Sequence, residues 1–360
     1  MALVAVAACG GTGTAGAPSH TPTPTAAVKV GNPSKAVTVS ESGSTLVLPY
    51  LQEMVDPLKE AYPNITLAPA GGGSGKGIGD AIAGTVVMGG SDAYLSDAQA
   101  QQNPYVLNIP IVVSAQAINY NLPGVTDLKL NGDVLAKIYQ GTITKWNDPA
   151  IASLNSGVNL PATAIVPVRR AESSGDTFLF TSLLDATNPD WHNGPSFGTT
   201  VTWPAVKGEL TTTGNPGMVE LAKRTPGSIA YVGVSAERAA ISGELGEALI
   251  QNKAGRFLKP SQAAIQAAMM ASARSIPTDM RKSLIYGPGD QSYPIVNFEY
   301  MMVKRTQPDT DTALAVRTFL MFAIDAGHGS SPDNLAAANF VALPDNAVRQ
   351  VRAAIDKIGP

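Results

Sequence analysis

The sequence predicts an α/β fold, for which one economical layout is two lobes with the chain crossing between them twice. Three observations lead there. Short apolar runs of β character alternate with segments whose apolar residues recur at helical spacing. Two longer β runs, 109–121 and 293–304, stand apart from the others. Between them lies a self-contained block with the same alternating grammar.

Taken in order, residues 37–40 read as a strand. Val47, Leu48, Leu51, Met54, Val55 and Leu58 then fall on one helical face. Residues 65–68 form the next strand, followed by a glycine run and a helix carrying Ile78 and Ile82. A short buried strand is expected at 86–88. After the first long run comes a helix with Val134, Leu135 and Ile138, then a strand at 164–168. A helix with Phe180, Leu183 and Leu184 and a strand at 228–234 complete the inner block. Beyond the second long run, Leu314, Arg317, Leu320, Phe322 and Ile324 mark a helix. Pro344-Asp345 opens a last one with Val348, Val351 and Ile355. One economical layout places lobe I at 37–115 plus 295–360 and lobe II at 118–290, the chain crossing twice. Two consecutive domains satisfy the same spacing.

The chain has 360 residues, enough for about two domains of roughly 150 residues each. Lys plus Arg is 25 and Asp plus Glu is 28, so the net charge is −3. With no basic stripe, nucleic acid is not the expected partner. Only 15% of residues are charged, while Gly 35 and Pro 27 supply many turns. A single cysteine excludes a disulfide within the chain and any multi-cysteine metal site. The three histidines, His20, His192 and His328, show no metal-ligand spacing, so no metal is expected. No serine lies in the G-x-S-x-G pattern of many hydrolases.

The single cysteine has a telling place. Residues 2–8 are small and apolar, too short to span a membrane, and Cys9 follows at once. Val6-Ala7-Ala8-Cys9 resembles a bacterial lipobox, in which the cysteine receives a lipid and cleavage precedes it. No Lys or Arg precedes the run. Residues 10–36 are rich in Gly, Thr, Pro, Ala and Ser and have little to bury, so a disordered linker is expected. Anchor, tether and body together describe an extracytoplasmic protein held at the outer face of the cytoplasmic membrane.

The run Gly71-Gly72-Gly73-Ser74-Gly75-Lys76-Gly77 superficially suggests a P-loop. That motif needs Ser or Thr after the lysine, and Gly77 stands there instead. What survives is a Gly/Ser turn before a helix, whose free amides and positive helix end attract oxyanions. The same grammar recurs at Ser42-Gly43-Ser44-Thr45 and at Ser173-Ser174-Gly175-Asp176-Thr177. Each alone is an ordinary N-cap. Three, split between the proposed lobes, make a converging anion cup. Arg169 and Arg170 precede the third turn and supply a guanidinium. Asp92 and Asp176 look out of place beside an anion. They become favourable when the ligand carries a proton to donate, as phosphate does and sulfate does not near neutral pH.

At this point the chain resembles the PstS-type periplasmic phosphate-binding proteins of bacterial ABC phosphate importers. The matching stretches are 42–45, 73–75, 90–96, 168–175 and 226–232, with landmarks at 138–148 and 293–295. The resemblance runs from about 37 to 356. It implies a type II periplasmic-binding-protein fold and a protein that is not an enzyme and needs no cofactor. It also implies permease membrane subunits as partners and a monomer.

Carried over residue by residue, Ser44 and Thr45 with the Leu46 amide, and Ser74, donate from lobe I, where Asp92 accepts the phosphate proton. From lobe II, Arg170 pairs with phosphate, braced by Glu172. Ser174 and the Gly175 and Asp176 amides complete the cup. Two positions depart from the family: Leu46 replaces a frequent Phe, and Asp176 a frequent Thr. With Asp92 and Asp176 both accepting, the doubly protonated monoanion is the expected ligand. The rival readings are a binding protein for another oxyanion such as sulfate, and a phosphatase-like enzyme.

Overall fold

The computed structural model describes residues 28–242, 245–272 and 275–360. Cys9 and the rest of 1–27 lie outside the described residues. No helix among the described residues is long and apolar enough to cross a membrane.

The first strands, β1 (Val37–Gly43), β2 (Ile65–Ala68) and β3 (Met88–Ser91), pair in parallel with β1 in the middle. Next comes β4 (Val106–Tyr120), fifteen residues long and almost wholly buried. The small strand β5 (Lys129–Leu130) follows, then β6 (Val166–Arg170), β7 (Leu210–Thr212) and β8 (Ser228–Gly233), with β6 central among the last three. After β9 (Gly246–Glu247), β10 (Leu249–Gln251) and β11 (Phe257–Leu258), the last strand is β12 (Val296–Lys304). The main sheet runs β2-β1-β3-β12-β4-β8-β6-β7, with β9 also on β4, while β11-β10-β5 form a small separate sheet.

Two antiparallel strands join the halves of this sheet. From Val106 to Ala115, β4 pairs with β12; from Gln116 to Tyr120 it pairs with β8. Parallel strands need helical crossovers, and buried parallel strands read as continuous apolar runs. Helices connect the parallel strands on each side, so the molecule is two α/β lobes sharing one pair of crossing strands.

Three expected elements shift. The first helix is two, Leu48–Glu53 and Val55–Ala61. Pro57 has no N–H to continue a helix from Leu48, yet it sits without penalty in the first turn of a new one. The strand expected at 86–88 is β3, which runs on through Gly89 and Gly90. Glycine is a poor strand former, but the helix Ser74–Ala83 demands it here. A Cβ on Gly89 would lie 1.9 Å from the Gly77 carbonyl oxygen. The strand expected at 164–168 is β6, which carries both arginines within it.

Part of the expected disordered linker is held on the body. The Gly31 amide donates to Thr318 Oγ1 (3.0 Å), and Ser34 donates twice to Asp311 (both 2.8 Å). Asn64 donates its side chain to the Pro33 carbonyl (2.8 Å). Backbone and short polar side chains supply these bonds, so a count of apolar residues does not register them.

The contact between Ser74–Ala83 and the sheet gives a prediction. A Cβ on Gly77 would meet the Gly90 and Ser42 carbonyl oxygens at 2.4 and 2.7 Å. Backbone cannot swing aside, so Gly77→Ala should cost about 1–3 kcal/mol. Urea unfolding midpoints of the two proteins measure it.

Candidate functional site

Each candidate residue sits where a strand ends and a helix begins. Ser44 and Thr45 follow β1, Ser74 opens the helix Ser74–Ala83, and Asp92 follows β3. Arg170 ends β6, and Ser174 caps the helix Gly175–Thr187. The strands carry their C-terminal ends toward the crossing pair, so turns from both halves meet there.

The turns touch one another. Arg170 Nη2 donates to Thr45 Oγ1 (3.3 Å), and the Gly75 amide donates to the Ser173 carbonyl (3.0 Å). Ser235 Oγ donates to the Leu46 carbonyl (2.7 Å). Gly175 lies against Asp92 and Ser74: an added Cβ would be 2.3 Å from Asp92 Oδ2 and 2.3 Å from Ser74 Oγ. The two halves are closed on each other. Ser44, Ser74, Asp92, Arg170, Ser174 and Asp176 are all buried.

Arg170 is the cation of the cluster, with its side chain 1% exposed. Its Nε and Nη2 both donate to Glu172 Oε1, and Nη1 donates to Asp176 Oδ2 at 2.7 Å. Burial works against the charged guanidinium, but Asp176 and Glu172 outweigh it and hold its pKa above the ordinary arginine range. Glu172 is likewise opposed by burial, and Arg170 wins, drawing that carboxyl below its ordinary range. Arg169, its neighbour on the strand, points to the other face. It pairs with Glu209 (2.8 Å) and lies over the Trp203 ring, outside the cluster.

Asp176 differs from expectation. Its carboxylate takes Arg170 Nη1, Asn215 Nδ2 (2.7 Å) and Gln116 Nε2 (3.0 Å). It neutralises the guanidinium and is held by three protein donors. The preference for a doubly protonated monoanion, which assumed two accepting carboxylates, loses one support. The Leu46 amide also differs, since it donates to Ser44 Oγ (3.0 Å).

Asp92 behaves otherwise. It is 2% exposed, and among the described residues no cation forms a salt bridge with it. Ser44 Oγ donates to its Oδ1, and its own amide donates to Ser74 Oγ (3.1 Å). Burial pushes its carboxyl well above the ordinary range, with Glu299 and Asp176 adding repulsion.

Around it are four backbone amides without a protein partner among the described residues: Thr45, Ser74, Gly175 and Asp176. The last three are first-turn N–H groups, which a helix cannot satisfy itself. They sit at the positive ends of helices of ten and thirteen residues. Donors of this kind beside a guanidinium, with one carboxylate among them, form a seat for a small anion that carries hydrogen. No group of three or more His, Cys, Asp or Glu suited to a metal occurs among the described residues.

Asn215 escaped the sequence reading. It is fully buried and donates to Asp176 Oδ2 and Thr45 Oγ1, while its own Oδ1 accepts the Gly233 amide (2.8 Å). It opens the helix Gly214–Lys223 in Gly214-Asn215-Pro216-Gly217, a turn that sequence reads as punctuation only. Glu299 escaped too. A lone carboxylate inside the apolar run of β12 was the available signal.

The PBP superfamily domain model matches residues 21–326. A protein named "Phosphate-binding protein PstS" from Methanocaldococcus jannaschii is 31% identical over 335 residues, covering 87% of this chain and 84% of the relative. "Phosphate-binding protein PstS3" from Mycobacterium bovis is 33% identical over 336 residues, covering 89% and 86%. Among solved structures, a high-affinity periplasmic phosphate-binding protein bound with phosphate superposes with a TM-score of 0.70 at 23% identity, covering 88% of this chain and 93% of that one. A phosphate-binding protein from Stenotrophomonas maltophilia gives 0.69 at 19% identity, again covering 88% and 93%. These two share the fold.

Glu41 provides a test of the ground beneath the site. It is buried and accepts from the Gly90 (3.0 Å) and Ala70 (3.2 Å) amides. Burial lifts its pKa from 4.5 to about 8 against those two bonds. The folded protein therefore holds a proton that the unfolded chain has released between these values. Stability is full below about pH 4.5 with respect to this group and is lost as pH rises toward about 8. Chemical unfolding at pH 5 and pH 8 should show that fall, and Glu41→Gln should flatten it.

Proposed function

Because the chain belongs to the PstS phosphate-binding family of the PBP superfamily, we propose that it binds inorganic phosphate outside the cytoplasmic membrane and delivers it to the permease subunits of an ABC importer. The observation that carries the reading is the convergence of the unpartnered Thr45, Ser74, Gly175 and Asp176 amides with Arg170 and Asp92.

Phosphate would take the amides and the Ser74 and Ser174 hydroxyls on its charged oxygens. Arg170 supplies the countercharge, with Glu172 and Asp176 fixing its plane. Asp92 accepts the hydrogen that phosphate retains. Sulfate has none, so its oxygen would face the carboxylate across an unrelieved contact.

The proposed hinge includes the point where β4 changes partners, at Ala115 and Gln116. Lobe I is proposed as 37–115 plus 295–360 and lobe II as 118–290, with one adjustment. Arg281 donates to Asp97 and to the Leu95 carbonyl, and Tyr300 OH donates to the Met280 carbonyl, so the stretch around Met280 and Arg281 packs with lobe I. Closure brings Thr45 to Arg170 and Gly75 to Ser173, so both lobes contribute to one cup. Cys9 is proposed as the lipid attachment that holds the monomer near its permease. Capture and release need no chemical change in the ligand, which favours a carrier over the phosphatase reading.

Isothermal calorimetry with phosphate and sulfate tests this. Tight phosphate binding with sulfate at least 100-fold weaker is expected. Arg170→Ala should weaken phosphate by roughly 10- to 100-fold, the size of a lost charge-assisted bond. Asp92→Asn should narrow the gap between the two anions. Equal affinity for both would transfer the protein to the general oxyanion binders.

A further inference from the structure

Glu299 lies in the crossing strand β12, beside the site yet not facing its donors. Its residue is wholly buried. Asn297 Nδ2 (2.9 Å) and Ser114 Oγ both donate to its Oε1. Its Oε2 has no donor among the described residues, although it too is buried. Asp92 and Glu299 are electrostatic neighbours, each carboxyl acting on the other. Asn297 ties the same two residues from behind by donating to the Asp92 carbonyl as well (3.2 Å). The strand register slips between Glu299 and Tyr300: they pair with Val112 and Pro110, which leaves Ile111 as the extra residue of a bulge. Bulges re-aim side chains next to functional sites.

Two buried carboxylates cannot face each other as bare acceptors. One proton between them turns repulsion into a hydrogen bond. Resting on the phosphate reading, we propose that Glu299 is the specificity-determining partner of Asp92: its Oε2 takes the shared proton whenever a hydrogen-bearing oxyanion occupies the cup. The step is balanced. The proton passes from Asp92 to Glu299, Asp92 becomes the acceptor for the ligand's own hydrogen, and none is exchanged with solvent.

The surroundings favour that direction when ligand is present. Asp92 stands at the positive ends of Ser74–Ala83 and Gly175–Thr187 and receives the Ser44 hydroxyl, all of which support charge on it. Besides Asp92, Glu299 takes hydrogen bonds from Ser114 on β4 and Asn297 on its own strand among the described residues, with Asp176 repelling it from the helix. Arg170, the cation of the site, is already committed to Asp176 and Glu172. Burial first, and Asp176 after it, raise the Glu299 carboxyl.

The test is calorimetry of phosphate and sulfate with the full protein and with Glu299→Gln and Glu299→Leu. Glutamine presents an N–H to Asp92 permanently, so Glu299→Gln should keep phosphate affinity within about threefold and still reject sulfate. Leucine leaves Asp92 holding its own proton, which donates as well to sulfate as to phosphate. The preference for phosphate should then fall at least tenfold, because Asp92 keeps its proton against either anion. A folded Glu299→Leu protein with the parent's preference overturns the inference. Where that variant does not fold, infrared spectra of the ligand-bound parent and of Glu299→Gln decide. A protonated-carboxyl band present in the parent and absent from Glu299→Gln supports the role; its absence from the parent overturns it. A parent that binds no phosphate at all refutes the functional reading instead.

Discussion

Burying one guanidinium organises this molecule. Arg170 is out of solvent, and its charge is tolerable only because Glu172 and Asp176 grip it from two sides. A buried ion pair contributes little net stability, since desolvation offsets attraction. What it does supply is geometry. Asp176 is in turn held by Asn215 and Gln116, and Asn215 reaches on to the Gly233 amide at the end of β8. Tyr231 OH accepts the Arg170 amide (2.9 Å) while its ring stacks on Phe180. The cation therefore stands at a fixed angle, anchored in the aromatic core of its lobe, before anything approaches it.

The other side of the cup is built from backbone. Amides at helix starts have fixed direction and no rotamer to lose, which suits recognition of a small symmetrical ion. Asp92 is the exception, a single side-chain acceptor among donors. Burial raises its carboxyl first and Glu299, on the crossing strand β12, adds to it, so a strand that joins the lobes also bears on the electrostatics of the site.

Much of this was legible in the sequence, for reasons that differ by element. Apolar periodicity located β2 at 65–68 to the residue and the last helix at Pro344-Asp345, because burial there depends on side chains alone. The two long β runs foretold the crossing pair because a strand covered on both faces has to be apolar throughout. The Gly/Ser turns and Arg170 were visible because helix caps and strand ends leave local signatures. What stayed hidden depends on partners distant in sequence. Nothing near Asp176 says that Gln116 and Asn215 will claim its carboxylate. Nothing around residues 88–91 says that two glycines belong in a central strand until a helix is laid so close that a Cβ on Gly89 would sit 1.9 Å from the Gly77 oxygen. Glu299 looked like one charge in an apolar run, and only the pairing of β12 with β4 brings it up to Asp92.

The bridge between the Gly75 amide and the Ser173 carbonyl has a consequence of its own. It is made of main chain on both sides, so no ordinary side-chain replacement deletes it. Gly75 is nonetheless irreplaceable, because a methyl there would sit 2.0 Å from Ser173 Oγ. Any larger residue would act as a wedge in a door, leaving each leaf sound while keeping them apart. The identity of that one position is a requirement on shutting rather than on folding.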